Sequence, residues 1–182
     1  MPPERSLPGL LILSAGLLIL ANLLPGAWMQ LEAAPLAQAA YWRLWTGQFC
    51  HWSMPHLLAN LLAVAGLGWV AGRRLLPGLA LLPLVAPLLS LGLLLVPELG
   101  AYRGSSGLVA FLLGTLVRDP RGPVRLLILG FGAKMLLDAN MHTPSPFLPA
   151  DIQTTWQAHL GGLLLGFAFS QPLPPPSPEP SR

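Results

Sequence analysis

The sequence predicts an all-α polytopic membrane protein, a single bundle of six transmembrane helices. Three observations predict it. Apolar residues make up 53% of the 182 residues and charged residues only 9%, whereas soluble domains carry about 25% charged residues. Such a chain cannot cover a water-facing surface, and its mean hydropathy is +0.61. Six apolar runs, separated by Pro, Gly or charge, recur along the chain, and most approach the roughly 17–25 residues that a crossing needs. The 21 prolines and 19 glycines fit the same class, because neighbouring membrane helices re-satisfy the backbone groups such residues free.

The first span is expected at about 8–26. Arg5 precedes it, as in a signal peptide. However, the nearest Ala-x-Ala site, Ala37-Gln38-Ala39, lies too far beyond the end of the run at Leu24, so the segment is expected to be retained. Residues 27–53 read as a long first loop. Further spans are expected at about 54–71, 77–96, 105–118, 123–138 and 154–171. The fourth and fifth are short, as in helices that begin or end inside a bundle. The helical domain is thus expected over residues 1–171, with a Pro-rich disordered tail at 172–182 that cannot pack.

Charge sets the orientation. Alternate loops on one side hold Arg5, Arg73, Arg74, Arg118, Arg121, Arg125 and Arg182. The other side holds Arg43 and Arg103, and Lys134 falls inside the fifth span. The positive-inside rule then makes both termini cytoplasmic, in agreement with an even number of spans. The net charge of +3 is dispersed over short loops, so no nucleic-acid partner is expected. The one cysteine, Cys50, excludes an internal disulfide and reads as a packing residue. Trp28, Trp42, Trp45, Trp52 and Trp156 fall near the outer interface, the usual aromatic belt.

In that orientation the polar groups inside the apolar runs share one depth. His51, His56 and Asn60 lie where the first outer loop enters span two, Ser106 opens span four, and His159 sits a turn into span six. Hydrocarbon penalises such groups, so each needs a functional reason more than it would in a soluble core. Gly104 and Gly107 flank Ser105-Ser106, permitting a tight turn and close approach of another backbone. A serine opening a helix has its own N–H available to a developing oxyanion. Taken alone, the Gly-Ser-Ser-Gly motif reads as a helix cap sooner than as a nucleophile.

His159 changes that reading. A neutral imidazole can take a serine proton and return it to a leaving amine. Gly162 and Gly166 form a Gly-x-x-x-Gly pair that lets span six approach a neighbour, and Gly107 and Gly114 offer a matching surface on span four. His56 and Asn60, four residues apart on one helix face, could complete an oxyanion hole or simply bond two helices together. His51, five residues before His56, is expected in the loop. A metal site from His51, His56, His142 and His159 is disfavoured, since the spacing puts no two imidazoles on one face and no acidic or thiol ligand accompanies them. Lys134 and Asp138 read as an i,i+4 pair near the outer surface. Asp151 could orient His159, though nothing in the spacing requires it.

The segment Trp42-Arg43-Leu44-Trp45-Thr46 with Phe49, His51, His56 and Asn60, then Gly104-x-Ser106-Gly107, then Ala158-His159-x-x-Gly162-x-x-x-Gly166, resembles the rhomboid intramembrane serine proteases. The resemblance covers about residues 41–170, in order and in spacing. It implies the six-helix rhomboid fold, a Ser106–His159 dyad without an acid, and an oxyanion site of His56, Asn60 and the Ser106 amide. His51, Gly104, Gly107, Gly162 and Gly166 would support that site, and Trp42 and Arg43 would belong to a structural, membrane-embedded first loop. No cofactor or metal is implied. The partners would be membrane-anchored protein substrates and the bilayer itself, in a bacterial inner membrane with the site opening outward.

The compact body and Tyr102-Arg103-Gly104-x-Ser106-Gly107 are also similar to the rhombosortase branch, which implies substrates with C-terminal paired-glycine sorting tails. One position departs from the family. Rhomboids often carry an aromatic residue or His four residues after the nucleophile, stacked on the catalytic imidazole; here Ala110 stands there, with Phe111 next. Two other functions stay open at this level: an inactive rhomboid-like binder of membrane proteins, and a metal or solute transporter.

Overall fold

A computed structural model describes residues 6–97, 99–141 and 145–170. The expected tail at 172–182 and His142 lie outside these residues. The described chain is all-α: α1 (Ser6–Ala21), α2 (Gly26–Met29), α3 (Ala33–Ala37), α4 (Arg43–Thr46), α5 (Met54–Ala71), α6 (Leu76–Leu93), α7 (Ser106–Thr115), α8 (Gly122–Met141) and α9 (Trp156–Ala168). One antiparallel bridge, Leu31 to Tyr102, is the extended pairing among them. By length and composition, the helical stretch Met54–Leu93 is apolar and long enough to cross a membrane. Leu62, Trp69, Leu126 and Leu129 stand exposed on α5 and α8, an apolar exterior that water would not tolerate over so much of the surface.

Local chemistry sets the helix ends. Ser53, in extended backbone, caps α5 by accepting from the His56 N–H (3.2 Å), and Pro55 sits in the first turn where its missing donor costs nothing. The first helix ends at Ala21 rather than near residue 26. There Asn22 turns its carboxamide back to the Leu18 carbonyl (2.8 Å), and Pro25 follows. α7 stops at Thr115 rather than 118, with Pro120 biasing Asp119 away from helical backbone. Pro83 and Pro87 lie inside α6. Pro87 cannot donate to the Pro83 carbonyl, and the Trp45 indole N–H supplies that bond instead (2.9 Å).

The region expected as a plain loop, 27–53, instead carries three short helices fixed by side chain to backbone bonds. Arg43 Nη1 donates to the Gln30 carbonyl (2.9 Å) and Thr46 Oγ1 to that of Met29 (2.7 Å). Buried Gln48 donates to Ser90 Oγ (3.0 Å), which donates onward to the Leu44 carbonyl (2.7 Å). This segment is thereby clamped to α6.

α7 occupies the centre, packed by α5, α6, α8 and α9, and every residue from Gly107 to Gly114 is buried. Its contact with α9 is made by glycine against backbone. A Cβ on Gly162 would strike the Gly107 carbonyl, and one on Gly166 the Phe111 carbonyl. On the α7 side, a Cβ on Gly107 would lie 3.1 Å from the Ala158 carbonyl oxygen. At the opposite end of α5, Arg121 donates to the Val70 (2.9 Å) and Ala71 (3.2 Å) carbonyls while pairing with Asp119, which also binds Arg74 (2.9 Å).

Candidate active site

The turn before α7 is held from three directions. The Tyr102 hydroxyl donates to the Gly104 carbonyl (2.8 Å), and Gly104 N–H donates to the Gly47 carbonyl (3.1 Å). Arg103 lies over the Trp52 ring (4.3 Å) and donates to Gln30 Oε1 (2.8 Å). Gly104 has φ +145°, a conformation L side chains rarely adopt, and a Cβ there would fall 2.7 Å from His56 Cε1. The His56 ring therefore lies directly on the backbone that leads to Ser106. His56 meets His51 edge-on at 4.9 Å, and its buried Nδ1 has no hydrogen-bond partner among the described residues.

Ser105 and Ser106 face different surroundings. Ser105 is buried, and its Oγ stands 3.1 Å from His51 Nε2. His51 is anchored in turn by Asn22, whose side-chain oxygen accepts from the His51 N–H (2.7 Å). Burial foremost, then the neighbouring His56, lowers the His51 pKa to about 3. The ring is therefore neutral at ordinary pH, and a weaker base than an ordinary imidazole. Ser106 opens α7 and is only half-buried.

His159 lies in the first turns of α9, 3% exposed. Among the described residues no hydrogen bond joins it to Ser106. The two are nonetheless chain neighbours of the closest helix contact, for Ser106 precedes Gly107 while His159 follows Ala158 and precedes Gly162 by three. Phe131 of α8 meets the imidazole edge-on at 5.4 Å. The ring missing at Ala110 is thus replaced from another helix, while Phe111 packs against Phe169 (6.3 Å). Asp138 Oδ2 stands 3.8 Å from His159 Nδ1 and pairs with Lys134. Asn60 is buried, with Nδ2 donating to the His56 carbonyl (2.9 Å), which leaves its second N–H available. A cavity of about 430 Å³ between α1, α5, α6 and α7 is lined almost wholly by apolar side chains with Ser105 on its wall; Ser106 and His159 do not line it.

Sequence reasoning did not reach Asn22 or Phe131. Asn22 carried no signal, since its partner is 29 residues away. Phe131, Lys134 and Asp138 follow one another at i, i+3 and i+7, a single face of α8 that helical periodicity could have singled out. No group of His, Cys, Asp or Glu suited to a metal occurs among the described residues.

The Rhomboid domain family model matches residues 38–175, more than half of the chain. No curated protein matches the chain.

Proposed function

The chain belongs to the rhomboid family of intramembrane serine proteases, integral to the membrane, and from that premise we propose an active endopeptidase with Ser106 as nucleophile and His159 as its base. The substrate is a membrane-anchored protein, cut in or beside its transmembrane segment. The observation that carries this reading is the glycine-on-backbone packing of α7 against α9, one residue away from both groups. Ser106 is also the serine that stays partly accessible, whereas Ser105 is buried and already bonded.

The chemistry follows in balanced steps. His159 takes the Ser106 proton as Oγ bonds to the substrate carbonyl carbon, and the carbonyl electron pair moves to oxygen. The Ser106 N–H, aligned with the α7 dipole, and the side chains of His56 and Asn60 receive that oxyanion. His56 Nδ1, buried and unpaired, and the spare Asn60 N–H suit this use. Collapse breaks the C–N bond, and the amine leaves with the proton from His159. Water repeats the sequence and frees Ser106.

A second reading has its own support. Ser105 and His51 already stand at nucleophile–base distance, 3.1 Å. Ser106→Ala, Ser105→Ala and His159→Ala variants in proteoliposomes, read by cleavage of a tagged transmembrane substrate and by fluorophosphonate labelling, separate the two. The Ser106 reading expects cleavage and labelling to vanish in Ser106→Ala and survive in Ser105→Ala. The opposite pattern moves the nucleophile to Ser105, and no labelling of the native chain favours an inactive binder.

Six crossings of a bacterial inner membrane, cytoplasmic termini and a site opening outward complete the proposal. The support is that the Arg74–Asp119–Arg121 cluster and the His51–Gly104 region lie at opposite ends of α5. Paired-glycine tails are proposed as the substrate class on the Tyr102-Arg103-Gly104-x-Ser106-Gly107 likeness. Co-expression with proteins carrying such tails, with mass spectrometry of the products, tests it.

A further inference from the structure

Rhomboid chemistry as set out above uses a serine and a histidine without an acid, yet the geometry points to Asp138 of α8 as a positioning residue for His159. The inference rests on the Ser106–His159 reading. Three observations carry it. His159 Nδ1 is buried and has no hydrogen-bond partner among the described residues. A buried ring nitrogen left unpaired is unusual and costs stability. The carboxylate that faces it is Asp138, with Oδ2 at 3.8 Å and its side chain 10% exposed. Phe131, seven residues earlier on the same face of α8, already holds the ring edge-on at 5.4 Å. Asp151, the other carboxylate that could orient His159 by sequence, is exposed.

At 3.8 Å the Asp138–His159 contact is longer than a hydrogen bond. The gap closes by a turn of the Asp χ2 torsion, which is soft, together with a small approach of α8. Attraction between charges needs no contact at all. In the reaction Asp138 transfers no proton of its own. It accepts from Nδ1–H, which fixes Nε2 as the nitrogen that takes the Ser106 proton, and it faces the imidazolium that results. The charged and titratable groups facing His159 are Asp138 and Lys134 of α8 and His56 of α5. Lys134, half-exposed, competes for the same carboxylate oxygen. The alternative role of Asp138 is to pair with Lys134 alone, as an i,i+4 lock within α8.

The two roles separate by kinetics. Asp138→Asn keeps size and an acceptor oxygen but removes the charge. As a positioning residue it should lower kcat by up to about 10⁴-fold, the loss when a reacting imidazole is left in the wrong tautomer, with KM and melting temperature unchanged. Asp138→Glu should recover part of that loss. Lys134→Met, which frees the carboxylate for His159, should keep kcat at or above the native value. If Asp138 only pairs with Lys134, Asp138→Asn and Lys134→Met should instead resemble each other, with a lowered melting temperature or raised KM, and the inference falls. It also falls if Asp138→Asn cleaves at the native rate while Ser106→Ala and His159→Ala are dead; the dyad then survives without it. Cleavage persisting in Ser106→Ala and His159→Ala removes the dyad and this inference with it.

Discussion

Replacing Gly162 with alanine adds one methyl group where α9 already rests on the backbone of α7. That Cβ would lie 3.1 Å from the Ala110 Cβ and far inside contact distance of the Gly107 carbonyl oxygen. Non-bonded carbon contacts settle near 3.5–4.0 Å, and the obstructing atoms are backbone and the fixed Ala110 methyl, so nothing can swing aside. α9 must retreat by about 1 Å or more. Overpacking of this kind costs about 1–3 kcal/mol. The retreat also carries His159 away from Ser106, and a displacement near 1 Å costs about 100-fold in rate, or roughly 2.7 kcal/mol of barrier. The assay is cleavage of a tagged transmembrane substrate in proteoliposomes, with thermal unfolding of the same preparation in detergent. Gly66→Ala is the control. Gly66 lies mid-way along α5 with no atom within 4 Å of an added Cβ, so it should leave activity unchanged and stability equal or about 0.5–1 kcal/mol higher. Gly162→Ala with native activity and native melting temperature would refute the reasoning, because α7 and α9 would then not be in backbone contact.

Two further outcomes follow from the Asp119 end of α5 and from the first loop. Asp119→Asn should lower stability by about 1–3 kcal/mol, since Arg74 and Arg121 lose their shared carboxylate. Arg121, ahead of Arg74, holds the Asp119 pKa well below the ordinary carboxylate value of about 3.9. The stabilisation is therefore complete above about pH 4 and fades as pH falls toward the folded-state pKa. Melting temperatures of native and Asp119→Asn protein should converge below about pH 4; a constant gap from pH 7 to pH 3 would contradict this. Trp45→Phe should cost about 1 kcal/mol, because the Pro83 carbonyl loses its donor; thermal unfolding reads it, and an unchanged midpoint would mean that carbonyl finds another partner.

Much of the helical layout was legible because hydrocarbon-length apolar runs and their breakers are local properties. Met54–Ala71 falls where the apolar run puts it, and the all-α class follows from composition. The ends that moved, at Ala21 and Thr115, were set by a side chain bond and by a following proline, which hydropathy does not register. The short helices between 26 and 46 were hidden because their partners are remote: Trp45 needs a carbonyl freed by Pro87, and Gln48 needs Ser90. Sequence spacing drew attention to Ser106, His159, His56 and Asn60, yet did not foresee that Ser105 would be the serine bonded to an imidazole.

By itself, then, the sequence determined the class of solvent, the positions of the main helices, the family and the polar groups worth suspecting, since each depends on composition or on spacing along one chain. Only the tertiary structure decided what surrounds those groups. α8 turns Phe131 and Asp138 toward His159 across a helix boundary, and Asn22 reaches His51 over 29 residues. Such meetings depend on how closely helices approach, which here is set by glycines whose missing side chains let backbone rest on backbone.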